Sequence, residues 1–249
     1  MTDWRRHRTS AGSRFLTCPA LSGEGLDHAF TLRPEHDSAG PSTGPSPDIR
    51  EAVELGWITV ALPRQVHGCG VVRGDVAASG AEAVEADAVI VDRRGTGAAV
   101  ATADCVGAIL HAAGALAVIH AGWRGTIAGV MSRAIAGLAT TCGARPSEMT
   151  LAMGPAIGRC CYEVGEDVAD AFRKAFPDRA RSRLFDEGPG RVTLDLIEAN
   201  RLRAEENGIP SSRIHTSGIC TRCAGDICWS WRGQGRTAAR MWTFAGLRP

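Results

Sequence analysis

The sequence of 249 residues lacks the features of several protein classes. It contains no run of about 20 uninterrupted apolar residues, which a transmembrane helix needs. Its first residues lack the apolar segment of about 7 to 15 residues found in signal peptides. It also lacks a charge excess, because 28 Lys and Arg residues stand against 27 Asp and Glu residues, and no basic run is interleaved with aromatic residues. We therefore expect a cytoplasmic protein that binds neither membranes nor nucleic acid.

The histidine and cysteine patterns limit which metal sites the sequence can form. None of the seven histidines forms a His-x-His pair, although a multicopper oxidase needs many histidines clustered in such pairs. The nine cysteines are an odd number in a long chain, which indicates reduced thiols and not a disulfide framework. The segment CTRCAGDIC, residues 220–228, contains one Cys-x-x-Cys pair with no second pair or His pair after it. We expect mostly buried, reduced thiols there and not a structural zinc knuckle.

The residues that are present, 44% of them hydrophobic, suffice for a sizeable core. Short runs rich in Val, Ile and Ala at residues 57–121 predict strands, and spacings of three and four from residue 127 predict a helix that continues to Gly143. Further predicted elements are strands at residues 28–32 and 148–154, helices at 48–56, 165–176 and 194–207, and a final strand pair near 226–247. A loop rich in Gly, Pro and Ser spans residues 33–50. Because strands and helices occur in clusters, we predict a single α+β domain over residues 1–249.

Three side chains of metal-ligand type stand at the ends of predicted strands. They are His67 in VALPRQVHG, Cys105 in GAAVATADC and His120 in ALAVIHA. Neighbouring strand ends can meet at one rim of a sheet, and two imidazoles with one thiolate leave an open position around tetrahedral zinc, as catalytic sites do. The alternative is structural: hydrogen-bonded histidines and a cysteine that packs as a small hydrophobe. The residues alone leave both interpretations open.

The segment HAGWRG adds a candidate anion site. Gly122 and Gly125 flank Trp123 and Arg124 just before a predicted helix. Free backbone N–H groups and a guanidinium at that position favour an anion such as phosphate. The alternative is a tight strand-to-helix turn with a solvated Arg124.

Six segments, in order, resemble the signature segments of a known family. RQVHG, ADC, HAGWRG, MGPAIGRCCYEVG, LDL and WSWRGQGRTAARM are similar to those of the laccase-domain proteins. That family, once called multicopper polyphenol oxidases, is now generally treated as zinc-dependent purine nucleoside phosphorylases. The resemblance covers residues 55–247. HAFTLRPE replaces the family's STRxGG stretch and TAAR replaces its TGR, so the resemblance does not by itself assign substrate contacts to these two places.

The resemblance implies that His67, Cys105 and His120 bind zinc, with copper as the weaker alternative. It implies a layered α/β/β/α fold with mixed sheets, like that of cysteine-hydrolase-like toxins. It also implies a purine nucleoside phosphorylase acting on adenosine, inosine and S-methyl-5'-thioadenosine, with adenosine deaminase activity. We expect a monomer whose partners are a small-molecule nucleoside and phosphate.

Hypotheses about individual roles follow from these positions. Cys105, Asp104 and Arg124 are the candidate catalytic residues. Asp104 lies next to a ligand and could transfer protons, or it caps a turn or orients a ligand histidine. The candidates for contact with nucleoside or phosphate are Arg64, Gln65, Trp123 and Arg232. For the tryptophan, a core position is the alternative.

Three rival classes remain. Cys105 activated by His120 would suit an amide hydrolase that edits a cell-wall precursor. A copper-dependent polyphenol oxidase (laccase) would use two histidines and one cysteine at copper, but the scattered histidines disfavour it. A structural zinc protein is disfavoured because only three ligands are visible.

Overall fold

The structure, a computed structural model, describes residues 4–22, 25–35, 59–77 and 84–249. Its strands are β1 (Arg5–Arg8), β2 (Arg14–Thr17), β3 (Leu26–Thr31), β4 (Thr59–Ala61), β5 (Val71–Arg73), β6 (Ala88–Val91), β7 (Thr96–Thr102), β8 (Val106–Ala112), β9 (Ala115–Ala121), β10 (Thr150–Met153), β11 (Phe185–Gly188), β12 (Arg191–Leu194), β13 (Ile214–Thr216) and β14 (Met241–Leu247). Its α-helices are α1 (Gly74–Ala77), α2 (Trp123–Ala128), α3 (Val130–Cys142), α4 (Glu166–Ala175), α5 (Arg181–Leu184), α6 (Leu196–Glu206) and α7 (Trp231–Gln234). Within these residues, no helix has the length and apolar character needed to cross a membrane.

The strands form two six-stranded sheets, both mixed in direction. The first sheet has the order β1-β2-β3-β14-β7-β4, and the second has the order β13-β10-β8-β9-β6-β5. β4 runs parallel to β7, β5 to β6 and β10 to β13, whereas the other pairs in these sheets are antiparallel. β11 and β12 form a separate two-stranded ribbon. The predicted α+β class with mixed sheets is therefore confirmed.

Two apolar cores hold the layers together. The core between the sheets joins residues such as Phe30 of the first sheet to Ile109 and Val118 of the second. The other core lies between the second sheet and the helices α3, α4 and α6. Met131 and Leu138 of α3 are fully buried there. Each large apolar side chain buried in this way stabilises the fold by about 1.5–3 kcal/mol.

The outer face of the first sheet carries a smaller apolar cluster. Phe15, Ala29, Ala99 and Phe244 meet there. The helix predicted at residues 48–56 and most of the loop predicted at residues 33–50 lie outside the described residues. An outer helical layer on this face, and with it the full α/β/β/α likeness to cysteine-hydrolase-like toxins, stays a prediction.

Two predicted elements differ from the structure. The helix predicted to continue to Gly143 is broken at Gly129, whose φ of 86° is left-handed and separates α2 from α3. The predicted final strand pair is wrong, because only β14 forms a strand in that region. The preceding residues form α7 instead, since the Ser230 side chain accepts a hydrogen bond from the Gly233 N–H at 3.0 Å and caps the helix.

The hairpin of β8 and β9 positions the candidate ligands. Its two turn residues, Ala113 and Gly114, have φ of 48° and 76°, the left-handed pair that a tight two-residue hairpin turn requires. This turn sets a register in which Val106 lies opposite Ala121. The residue before β8 and the last residues of β9 are therefore neighbours at the open end of the hairpin.

Candidate functional site

The side chains of His67, Cys105 and His120 lie close together in space. Their potential ligand atoms all lie within 4.8 Å of one another, and the two imidazole rings stand nearly perpendicular, with centroids 4.8 Å apart. His67 follows β4, His120 lies in β9, and Cys105 lies in the turn between β7 and β8. The structure thus brings together the three residues named from the sequence. Cys105 does not end the strand β7, which stops at Thr102, but directly precedes β8.

A buried carboxylate that the sequence analysis missed organises two of these residues. Asp87 precedes β6 and is fully buried. Its Oδ1 accepts hydrogen bonds from His120 Nδ1 at 2.7 Å and from the His67 N–H at 3.0 Å. Its Oδ2 accepts from the Gly68 N–H at 2.7 Å and the Val66 N–H at 3.3 Å. A carboxylate that fixes the far nitrogen of a histidine is the usual support of a metal-binding imidazole.

The charges and hydrogen bonds in this group favour a Cys105 thiolate beside a protonated His120. Burial raises the pKa of the Cys105 thiol, but hydrogen bonds and charges from His120 and His67 outweigh it and bring the pKa down to about 7. Burial likewise opposes protonation of His120, yet its bonds to Asp87 and Cys105 raise its pKa to about 9. Burial also acts against the Asp87 carboxylate, while the bonds from His120 and Gly68 hold its pKa below the usual range. Cys105 therefore carries much more of the thiolate needed by a metal or by a nucleophile near neutral pH than an ordinary thiol does.

The residues fit a single metal ion. A Cβ atom at Gly122 would lie 3.0 Å from His67 Cδ2 and 3.1 Å from Cys105 Sγ, so the absence of a side chain there lets the ligands approach. Two soft or borderline nitrogen donors and one sulfur donor suit zinc or copper. His67 and Asp104 have φ of 57° and 89°, and such strained backbone in non-glycine residues is concentrated at functional sites.

A cavity of about 550 Å³ opens beside these three side chains. This volume lies within the range of small-molecule sites. Its wall consists of Gln65, His67, Ala101, Thr102, Ala103, Asp104, Cys105, His120, Trp123, Ile157, Tyr162, Trp231, Arg232 and Arg240.

Asp104 is nearly buried and uses both carboxylate oxygens. Oδ1 accepts from the Thr221 hydroxyl at 2.6 Å, and Oδ2 accepts from the Arg232 backbone N–H at 2.6 Å. These contacts tie the turn between β7 and β8 to the C-terminal segment. Neither partner is a histidine, so these bonds do not orient a candidate ligand, and proton transfer by Asp104 stays a prediction.

The four predicted substrate-contact residues and the predicted catalytic residue Arg124 divide into two groups. Gln65, Trp123 and Arg232 line the cavity, although the Gln65 amide is already engaged with both backbone groups of Ala101. Arg64 and Arg124 are not among the cavity-lining residues. The side chain of Arg64 pairs with Glu85 at 2.5 Å, and the guanidinium of Arg124 stacks on Trp123 at 4.2 Å from the ring centroid.

Three aromatic or charged cavity residues, Tyr162, Trp231 and Arg240, were not singled out from the sequence. Tyr162 is the single tyrosine of the chain, and burial raises its pKa to about 12. Trp231 is 50% exposed and lies under Arg240, whose guanidinium is 5.7 Å from its ring centroid. The two signature segments RCCYEVG and WSWRGQG carry Tyr162 and Trp231, so they were the available signal.

The prediction of buried thiols in residues 220–228 is wrong for most of that segment. Cys228 is buried, but Cys223 is exposed and Cys220 is only partly buried. The sulfur atoms of Cys220 and Cys223 lie with those of Cys160 and Cys161. The partners were missed because they come from a distant part of the chain.

Two packed mixed sheets with a His/Cys/His set beside a ligand-sized cavity define an α+β protein with a candidate mononuclear metal site. The chain belongs to the multi-copper polyphenol oxidoreductase laccase family, whose sequence model matches residues 47–248. It is 36% identical over 206 residues, 77% of this chain and 75% of the relative, to the purine nucleoside phosphorylase YlmD of Geobacillus stearothermophilus. It is 34% identical over 197 residues, 76% of this chain and 74% of the relative, to adenosine deaminase RL5 of an unknown prokaryotic organism. The crystal structure of YlmD from Geobacillus stearothermophilus superposes with a TM-score of 0.84 at 30% identity, covering 100% of both chains.

Proposed function

We propose that this chain is a zinc-dependent purine nucleoside phosphorylase acting on adenosine, inosine and S-methyl-5'-thioadenosine, with adenosine deaminase activity. The observation that carries the proposal is the meeting of His67, Cys105 and His120 beside a cavity of about 550 Å³. The names of the relatives, a phosphorylase and a deaminase, support the reaction classes.

Zinc is the metal we propose for the three ligands. Three protein ligands with a fourth position open toward a cavity are typical of catalytic zinc. When bound, the ion would supply Lewis-acid activation of a group in its open position. Copper is the alternative, since it accepts the same donors. Elemental analysis of protein purified without chelator distinguishes the two metals directly.

The protein's own residues would hold the nucleoside. Trp231 and Tyr162 offer aromatic faces in the cavity wall, which suit a purine base. Gln65 and Trp123 are further candidates for base contact. Asp87 would keep His120 in one orientation through the 2.7 Å bond to Nδ1, and Asp104 would keep the C-terminal wall of the cavity in place.

Arginine side chains would bind the phosphate. Arg232 and Arg240 line the cavity, and a guanidinium matches phosphate oxygens with paired donors. Arg124 and Arg64 stay candidates, but neither is among the cavity-lining residues. We therefore place phosphate at Arg232 and Arg240 first.

The products formed from inosine and adenosine test this proposal. With phosphate present, we expect free hypoxanthine from inosine, matched by an equal amount of ribose 1-phosphate. With phosphate omitted, base release should fall to the background of the His67→Ala control. Adenosine should yield inosine and ammonia whether or not phosphate is present. Release of base at the same rate without phosphate would mean that phosphorolysis is the wrong reaction.

A second candidate, a Cys/His amide hydrolase that edits a cell-wall precursor, is favoured by one specific observation. Cys105, His120 and Asp87 form a connected thiol, imidazole and carboxylate series, the arrangement of an activated nucleophile. In that reaction, alkylation of Cys105 should abolish activity and a metal chelator should have no effect. Under the zinc proposal, the chelator should abolish nucleoside turnover reversibly.

A further inference from the structure

Four cysteines outside the cavity converge from two segments of the chain. Cys160 and Cys161 follow β10, and Cys220 and Cys223 follow β13. Their sulfur atoms all lie within 4.8 Å of one another. The sulfur of Cys223 is 3.5 Å from that of Cys160 and 3.4 Å from that of Cys161.

These distances match four ligands around one ion. A disulfide would bring two sulfur atoms to about 2.05 Å, much closer than the 3.4 Å and 3.5 Å separations of these thiols. Four thiolates at about 2.3 Å from a tetrahedral zinc ion lie roughly 3.8 Å apart. An iron–sulfur cluster places its own inorganic core between the thiolates and holds them further apart. The spacing therefore fits a single tetrahedral ion.

The surrounding backbone is shaped for the sulfur atoms. The Gly158 N–H donates a hydrogen bond to Cys220 Sγ at 3.2 Å, a contact that favours the thiolate. A Cβ atom at Gly158 would lie 3.3 Å from Cys160 Sγ and 3.2 Å from Cys220 Cβ, so a side chain there would crowd the cluster. A short β-bridge from Ala156 to Cys220 joins the two segments.

Burial and charge both distinguish these cysteines from core residues. Cys160 and Cys223 are exposed, and Cys161 and Cys220 are partly buried, so the group does not fill a hydrophobic core. Four thiolates around a dication carry a net charge of about −2. The Arg191 guanidinium donates a hydrogen bond to the Cys160 carbonyl oxygen at 3.3 Å, which brings positive charge next to the group.

We propose that Cys160, Cys161, Cys220 and Cys223 bind a second zinc ion in a closed, structural tetrathiolate site. Four sulfur donors in a tetrahedral arrangement select zinc among the common divalent metals. Binding displaces the protons of the thiols to solvent and leaves no open position for a substrate. This site is separate from the His67, Cys105 and His120 group and does not depend on the proposed enzymatic activity.

The site would fasten one wall of the cavity. Tyr162 follows the ligand Cys161 directly, and it lines the cavity. Thr221 follows the ligand Cys220 and donates its hydroxyl to Asp104 Oδ1 at 2.6 Å. One zinc ion would therefore join the two segments that carry these contacts.

Zinc content of four proteins tests the proposal. The wild type should contain about two zinc ions per chain, and Cys105→Ala about one. Cys223→Ser should also retain about one, whereas the matched control Cys142→Ser should retain two. Cys142 is a partly buried thiol at the end of α3, and its S–H donates a hydrogen bond to the Leu138 carbonyl oxygen. Equal zinc content in Cys223→Ser and Cys142→Ser would overturn the tetrathiolate site.

Cobalt substitution provides a readout that does not need Cys223→Ser to fold. Cys105→Ala loaded with Co²⁺ should show the strong thiolate-to-cobalt charge-transfer absorption of a four-sulfur tetrahedral site. Absence of that absorption in folded, reduced Cys105→Ala would overturn the proposal. So would a disulfide among the four cysteines in protein purified under reducing conditions, detected by peptide mass spectrometry. Because Cys105→Ala removes the other ligand group, failure of either site is recognised separately.

Discussion

The substitution Asp87→Asn should lower both the stability of the protein and the zinc affinity of the candidate metal centre. Each Asp87 oxygen accepts two hydrogen bonds, Oδ1 from His120 and His67, and Oδ2 from Gly68 and Val66. Asparagine keeps one oxygen and replaces the other with an NH₂ donor. In one amide orientation both backbone bonds to Oδ2 are lost; in the other the His67 bond is lost, and His120 keeps a bond only by accepting at Nδ1 in its other tautomer. At about 1.5–3 kcal/mol for each bond to a charged group, the loss of one or two bonds should lower the free energy of unfolding by roughly 1.5–6 kcal/mol.

The same change should reduce zinc affinity by about 10- to 100-fold, as removal of a carboxylate behind a ligand histidine does. Zinc affinity is measured by competition with a chromophoric chelator in a Cys223→Ser background, and stability by urea denaturation of the metal-free protein. Asp92→Asn is the matched control, because Asp92 stands just past the other end of β6 and pairs with Arg73 at 2.7 Å near the surface. This control should cost about 0–1 kcal/mol. If Asp87→Asn behaves like Asp92→Asn in both measurements, Asp87 does not support the ligands.

Three further predictions concern the same cavity. Gly122→Ala should lower zinc affinity at least about 10-fold, because the new Cβ would crowd His67 and Cys105. As a control, Gly188→Ala should leave zinc affinity unchanged in the same chelator competition, because a Cβ there meets nothing within 4 Å. If the Trp231 ring stacks on the base, Trp231→Ala should raise KM for inosine by roughly 5- to 150-fold, the equivalent of about 1–3 kcal/mol. The free energy of unfolding measured by urea denaturation should stay within about 0.5 kcal/mol of wild type, and an unchanged KM would mean that the ring does not contact the base. In metal-free protein, the rate of Cys105 alkylation should be half-maximal near pH 7. The lowered pKa preserves the thiolate down to that pH, and the thiolate is lost as the pH falls through it. A midpoint near pH 9, the ordinary thiol value, would mean that no imidazolium stabilises the thiolate.

The strands were predictable because their signal is local. Runs such as ALAVIHA and ADAVIVD are bounded by small or acidic residues, and they form β9 and β6 nearly as expected. The last predicted strand pair was wrong because the apolar residues of WSW resemble a strand, whereas the Ser230 cap and Gly235 beyond the helix favour α7. A cap contributes one specific hydrogen bond that an apolar pattern does not record.

The three candidate ligands could be named from the sequence, but the residues that support them could not. His67, Cys105 and His120 are chemically conspicuous, and they stand in segments that resemble a known family. Asp87 looks like a strand boundary in the sequence, because its partners lie 19 to 33 residues away in the chain. The four-cysteine group joins segments about 60 residues apart, a pairing that depends on the parallel contact of β10 with β13.

The dependence of nucleoside turnover on metal tests the central claim most directly. Wild-type protein is exhaustively chelated, its metal content is verified, and inosine phosphorolysis is measured before and after zinc is restored. Because chelation also threatens the proposed tetrathiolate site, circular dichroism must show that the chelated protein stays folded. We predict that turnover is lost in the folded, metal-free protein and returns with one zinc ion at His67, Cys105 and His120, while Cys105→Ala stays inactive throughout. Full turnover in verified metal-free protein, abolished by a mass adduct on Cys105, would contradict the metal mechanism and identify this thiol as a nucleophile.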